Sequence, residues 1–150
     1  MRIRLGFTFI ELLIVLGIMG IVALVALPFF SDSISRNDLQ TASLELTNAL
    51  RRARASSMAA QANTTWSVHL QSDRHVVFDG VVYSPADPDN FETLLPSTIT
   101  INAISLNGGG SDVRFTKIKG ATTDFGTITL LDSNSGQSVV ISVNAAGHIQ

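Results

Sequence analysis

Glu11 is the residue that first demands an explanation. It sits near the start of GFTFIELLIVLGIMGIVALVALPFF, Gly6 to Phe30, and from Leu12 to Phe30 nothing is charged or strongly polar. A run of that length approaches the roughly 20 residues that cross a bilayer as a helix. A carboxylate carried deep into such a segment without a partner costs about 3 kcal/mol. On spacing alone, Glu11 either reaches the headgroup region or meets a cation. Arg2 and Arg4 precede the apolar run, and basic residues beside a membrane segment favour the cytoplasmic side. Ser31 to Gln150 would then face the opposite side. A cleaved secretory signal fits poorly. The apolar stretch exceeds the about 7–15 residues of such a signal, and Leu24 stands where a small residue should precede a cut at Ala26.

The other polar residues carry weaker signals. His69, His75 and His148 show no metal-ligand spacing; His69 and His75 fall in adjacent strand candidates. The acidic loop with Asp87, Asp89 and Glu92 is a weak calcium candidate. DSNSG, Asp132 to Gly136, opens like a calcium loop, but its twelfth position is Val143 instead of the bidentate Glu. GGG lacks the Lys-Ser/Thr ending of a phosphate loop, and no Ser-His-Asp set has a local nucleophile signature. No enzyme, cofactor or resident metal is expected. RRAR, Arg51 to Arg54, reads as a solvated helix face. Arg114, Lys117 and Lys119 form a small basic group in a strand candidate. With a formal charge of -2 and no basic block, composition gives nucleic acid no general support. There is no cysteine, so the fold needs no oxidising compartment.

GFTFIELLIVLGIMGIV resembles the type III signal of type IV pilins and type II secretion pseudopilins. The likeness rests on the short basic leader Met1 to Gly6, on Phe7, on Glu11 as the fifth residue after Gly6, and on the long apolar helix with Pro28. It implies that a prepilin peptidase cuts between Gly6 and Phe7 on the cytoplasmic face and that the new Phe7 amine is N-methylated. It also implies subunit assembly through Glu11, whose carboxylate neutralises the Phe7 amine of a neighbouring subunit. Local unwinding or a kink is expected between Gly20 and Pro28. LTNALRRARASSM, with its Ala-Arg pair, and the closing pattern GTITL…VVISVNAAGHI resemble the GspH/FimT group of minor pilins. That likeness implies a structural subunit of a type IV pilus, a competence pilus or a type II secretion pseudopilus. The subunit would wait in the inner membrane, head in the periplasm, until an assembly ATPase and platform protein move it into a filament with other pilins. The alternative is a filament-borne binding module for DNA or a secreted substrate; the C-terminus NAAGHIQ has no Lys or Arg to support DNA.

These residues need elements to position them. The division expected is a leader at 1–6, a membrane and polymerisation helix at 7–30, an amphipathic half at 31–62 and a β-rich head at 63–150. Ser31 or Asp32 is suited to cap the second half. Ile34, Leu39, Ala42, Leu46, Ala49, Leu50 and Ala53 recur at threes and fours and mark one apolar face. After Asn63 the strand candidates are WSVHL, HVVFDGVVY, TITINAISL, VRFTKIKG, GTITLL and SVVISV, with SPADPDN and NGGGSD as turns and DSNSGQ as a hairpin loop. One long helix of roughly 50 residues followed by six or seven strands predicts an α+β fold, with antiparallel sheet packed on the second half of the helix.

Overall fold

The computed structural model describes residues 8–150; between 24 and 36 it describes the helical backbone without the side chains. The chain divides into two compact units, one ending at Ile34 and one running Ser35–Gln150. Helix α1 covers Phe9–Met58, 50 residues. It passes through Ser31 and Asp32, so neither residue begins a helix.

The second unit is built on the apolar stripe that periodicity picks out. Leu39, Ala42, Leu46, Leu50 and Ala53 are all buried, spaced three or four apart so that they share one helix face. Full burial of a leucine side chain is worth about 1.5–3 kcal/mol, and these residues share one core with Val68, Leu70, Val113, Phe115, Ile128, Leu130 and Ile141.

The helix stops at Met58, short of the expected Ala62, because the next strand is pulled back onto it. The buried Ser57 hydroxyl donates to Trp66 O at 3.1 Å, and Trp66 N–H donates to Ser57 Oγ at 2.7 Å. The chain makes the reversal through Ala60, Ala62 and Asn63, all at positive φ.

Seven strands follow: β1 Trp66–Leu70, β2 Arg74–Asp79, β3 Phe91–Leu94, β4 Ile99–Leu106, β5 Asp112–Phe115, β6 Gly126–Asp132 and β7 Ser138–Val143. They form two antiparallel sheets, ordered β3-β2-β1-β5 and β4-β6-β7. The strand expected from His75 to Tyr83 ends at Asp79. Gly80 turns there with φ 105, and its N–H donates to Thr65 O at 2.6 Å. VRFTKIKG is a strand only to Phe115; Ile118 at φ 67 belongs to a turn. β3 has no counterpart among the strand candidates.

Candidate assembly site

Thr8 holds the start of α1. Leu12 N–H donates to Thr8 O at 3.3 Å and Glu11 N–H to Thr8 Oγ1 at 3.4 Å. Thr8 is therefore an N-cap, and Thr8-Phe9-Ile10-Glu11 has the spacing of a capping box. That pattern was legible in the sequence but hidden inside the apolar segment. Glu11 lies in the first helical turn, where the helix dipole favours a negative charge.

Every described side chain from Thr8 to Ala23 is exposed, Phe9 by 76% and even Val15 by 44%. There is no polar face opposite an apolar one. A helix apolar on all sides is covered by lipid or by other protein. Among the described residues no helix is long and apolar enough to cross a membrane; the rest of the apolar run, Leu24 to Phe30, lies outside the residues whose side chains are described. Gly20 sits within α1 with open space where a Cβ would stand. The helix is assigned through Pro28, whose side chain is not described. Gly6 and Phe7 lie outside the described residues.

The polar candidates of the second unit do not converge on a catalytic or metal site. His69 and His75 fall on opposite faces of the first sheet, since His69 faces Val76 and Leu70 faces His75 in the β1–β2 register. His69 Nδ1–H donates to Asp112 Oδ1 at 2.5 Å, and its ring stacks on Tyr83 at 4.0 Å. His75 is buried, its Nδ1 has no partner, and burial pushes its pKa down. An unpaired buried polar atom costs about 1–3 kcal/mol. Asp87 Oδ1 accepts from Asp89 N–H, while Glu92 takes Arg74 Nη1 at 2.6 Å; these carboxylates serve separate partners. Asp132 closes its own turn, accepting from the Ser135 hydroxyl and from Asn134 N–H, which together hold its carboxyl below the usual range. Among the described residues no group of acidic residues and histidines is placed to hold a metal ion.

Several basic residues have partners of their own. Arg114 makes two side-chain bonds to Asp124, at 2.8 and 2.7 Å. Burial pushes the Asp124 carboxyl up, and the Arg114 guanidinium and N–H outweigh that, so its pKa ends lowered. Lys117 Nζ donates to Asn63 O at 2.8 Å. Two of the trio expected with Lys119 are thus already engaged. In RRAR, Arg54 is a clamp: its Nε donates to Gly120 O at 3.1 Å and its Nη2 to Ala146 O at 3.2 Å. Gly147 allows that closure, because a Cβ there would stand 1.9 Å from Gly120 O.

Two family matches bear on this arrangement. The prokaryotic N-terminal methylation motif matches residues 1–27, and the family described as type II transport protein GspH matches residues 42–147. The chain belongs to the GspH family. GspH-type proteins with this motif are pilin-like structural subunits of a type IV pilus or type II secretion pseudopilus, and not enzymes. The GspH match covers most of α1's apolar stripe, all seven strands and both ends of the Arg54 clamp. No curated protein and no solved structure gives a significant match.

Proposed function

We propose that this GspH-family subunit is cut between Gly6 and Phe7 by a prepilin peptidase, N-methylated at Phe7, and built into a filament through Glu11. Residues 7–30 anchor it in the inner membrane beforehand, N-terminus in the cytoplasm and head in the periplasm. An assembly ATPase and platform protein then transfer it to a growing shaft. The GspH match favours a type II secretion pseudopilus over a pilus.

The observation that carries this reading is a single carboxylate in the first turn of a helix whose described side chains up to Ala23 are exposed and almost all apolar, on every side. Cleavage creates a cationic amine four residues before Glu11. Within a stack of such helices water is scarce, and opposite charges attract strongly while a lone charge is penalised. The amine of one protomer and Glu11 of the next thereby set the axial register. Gly20 and Pro28 weaken the helix between them, which lets that stretch bend or unwind on packing.

Glu11 stands at the position from which a side chain closes a capping box, so alanine alone confounds two roles. Glu11→Gln keeps a capping-competent side chain and removes the charge. The expected result is normal cleavage and methylation by mass spectrometry, with loss from sheared filaments. Full incorporation of Glu11→Gln would reject the charge pair. A mature chain still beginning at Met1 would reject processing.

A further inference from the structure

The first sheet has an edge at β3. β3 is its outermost strand, with no strand beyond it among the described residues. Leu95 N–H donates to Asp73 O at 2.9 Å, toward β2. Backbone direction alternates along an antiparallel strand. Phe91 and Thr93 therefore also turn toward β2, and the N–H and C=O groups of Glu92 and Leu94 point outward. Leu94 is 63% exposed.

A groove of about 260 Å³ opens beside this edge, between α1 and the inner face of β2 and β3. Glu45, Asn48 and Arg52 line it from the helix, and His75, Phe91 and Thr93 from the strands. Arg52 lies over the Phe91 ring at 4.8 Å. Glu45 is seven positions earlier on the helix, about 10 Å along its axis. The groove thus has a cationic end and an anionic end. The His75 ring forms part of its wall, and the unpartnered Nδ1 is among the few buried polar atoms left unsatisfied.

We propose that the β3 edge and this groove bind an extended segment of a partner protein, added as a strand beside β3. Its acidic side chain meets Arg52, and its basic side chain meets Glu45. The outward backbone groups of Glu92 and Leu94 supply the strand's hydrogen bonds, and the groove supplies the choice of sequence. The unpaired backbone selects a peptide over a small molecule. The charges at the two ends fix which peptide, and they also discourage indiscriminate pairing at a short edge. The inference is independent of the charge pair at the N-terminus.

The test uses the full chain in detergent micelles and a phage-displayed library of linear heptapeptides. Selected peptides should carry one acidic and one basic residue on the same alternating face. Synthetic versions should bind about tenfold more weakly to Arg52→Ala, which removes a charged contact. Leu94→Pro removes an outward N–H but no ladder bond, and should weaken binding at unchanged melting temperature. Glu45→Lys should switch the selected basic residue to an acidic one. No enrichment, an enriched set without the charge pattern, or binding unchanged in Arg52→Ala and Glu45→Lys would overturn the proposal.

Discussion

The two ends of α1 are written in different chemical languages. From Thr8 to Ala23 every described side chain is exposed and nearly all are apolar. From Leu39 to Ser57 the helix alternates in the usual way, with Leu39, Ala42, Leu46, Leu50, Ala53 and Ser57 buried and Arg51 and Arg52 outside. The second stretch has found its partner within the same chain. The first has no amphipathic stripe, so no single protein surface can satisfy it; it needs cover all round. The difference teaches that the hydrophobicity of a helix says less about its role than the angular distribution of that hydrophobicity.

The comparison is broken most severely at Glu11. If its charge pairs with the Phe7 amine in a dry shaft, removing it leaves a lone buried cation at a cost of about 3–5 kcal/mol. Glu11→Gln should then lower incorporation about a hundredfold or more, while the melting temperature of the second unit stays where it was. A variant that instead melts earlier would show that Glu11 acts on the fold of the head.

The next largest effect belongs to the other stretch. Leu46 and Leu50 are fully buried, so Leu46→Ala or Leu50→Ala should cost about 2–5 kcal/mol in denaturant unfolding. Gly147→Ala should cost about 2–3 kcal/mol. Its φ of 76 is unfavourable for alanine, and the new methyl would collide with the Gly120 carbonyl that Arg54 holds.

Much of this was legible beforehand, for identifiable reasons. The stripe on α1 repeats at helical spacing, and SVVISV is a compact run of β-branched residues that coincides with β7. GFTFIELLIVLGIMGIV signalled the N-terminal methylation motif that the family match finds at residues 1–27. β3 was not legible because FETL is short, mostly exposed and lacks β-branched runs; its strand character comes from pairing with β2. The division into two sheets was hidden because β1 pairs with β5 across more than forty residues, which no local pattern records. Gly80 ended a run of valines that looked continuous, and Val81 and Val82 are exposed beyond it. Arg54 was read as one of three solvated arginines; only the approach of Gly120 and Ala146 makes it a clamp. The Ala-Arg pair was the available hint.

A pH effect of intermediate size sharpens the picture of the second unit. His75 is buried with its pKa below the ordinary 6.5. As pH falls through that value, the unfolded chain takes up a proton that the folded chain refuses. Stability therefore declines from about pH 6.5 downward, and levels off only beneath the folded value. His75→Gln should flatten this part of the profile. Asp124 contributes separately and lower down. Its folded pKa is depressed, so its stabilisation is present above the ordinary carboxylate range and is lost as pH falls through the folded value. An unfolding free energy that stays level between pH 7 and 5, in a chain that retains His75, would contradict the buried neutral imidazole.

The smallest expected effect tests the contrast most directly. Ile14 is as apolar as Leu46 but is 57% exposed. Ile14→Ala removes little buried surface within the chain, so the unfolding free energy of the second unit should change by no more than about 0.5 kcal/mol. Packing in a filament would make the same residue matter, because truncating a covered aliphatic side chain costs about 2–5 kcal/mol. Ile14→Ala should therefore leave the isolated subunit's denaturation curve in place and yet weaken the filament's resistance to shear. If both measurements were unchanged, Ile14 would lie on a face that assembly leaves uncovered, and cover on every side would no longer describe the first stretch. If the denaturation curve itself moved, the two stretches of α1 would not be the independent pieces that their burial patterns indicate.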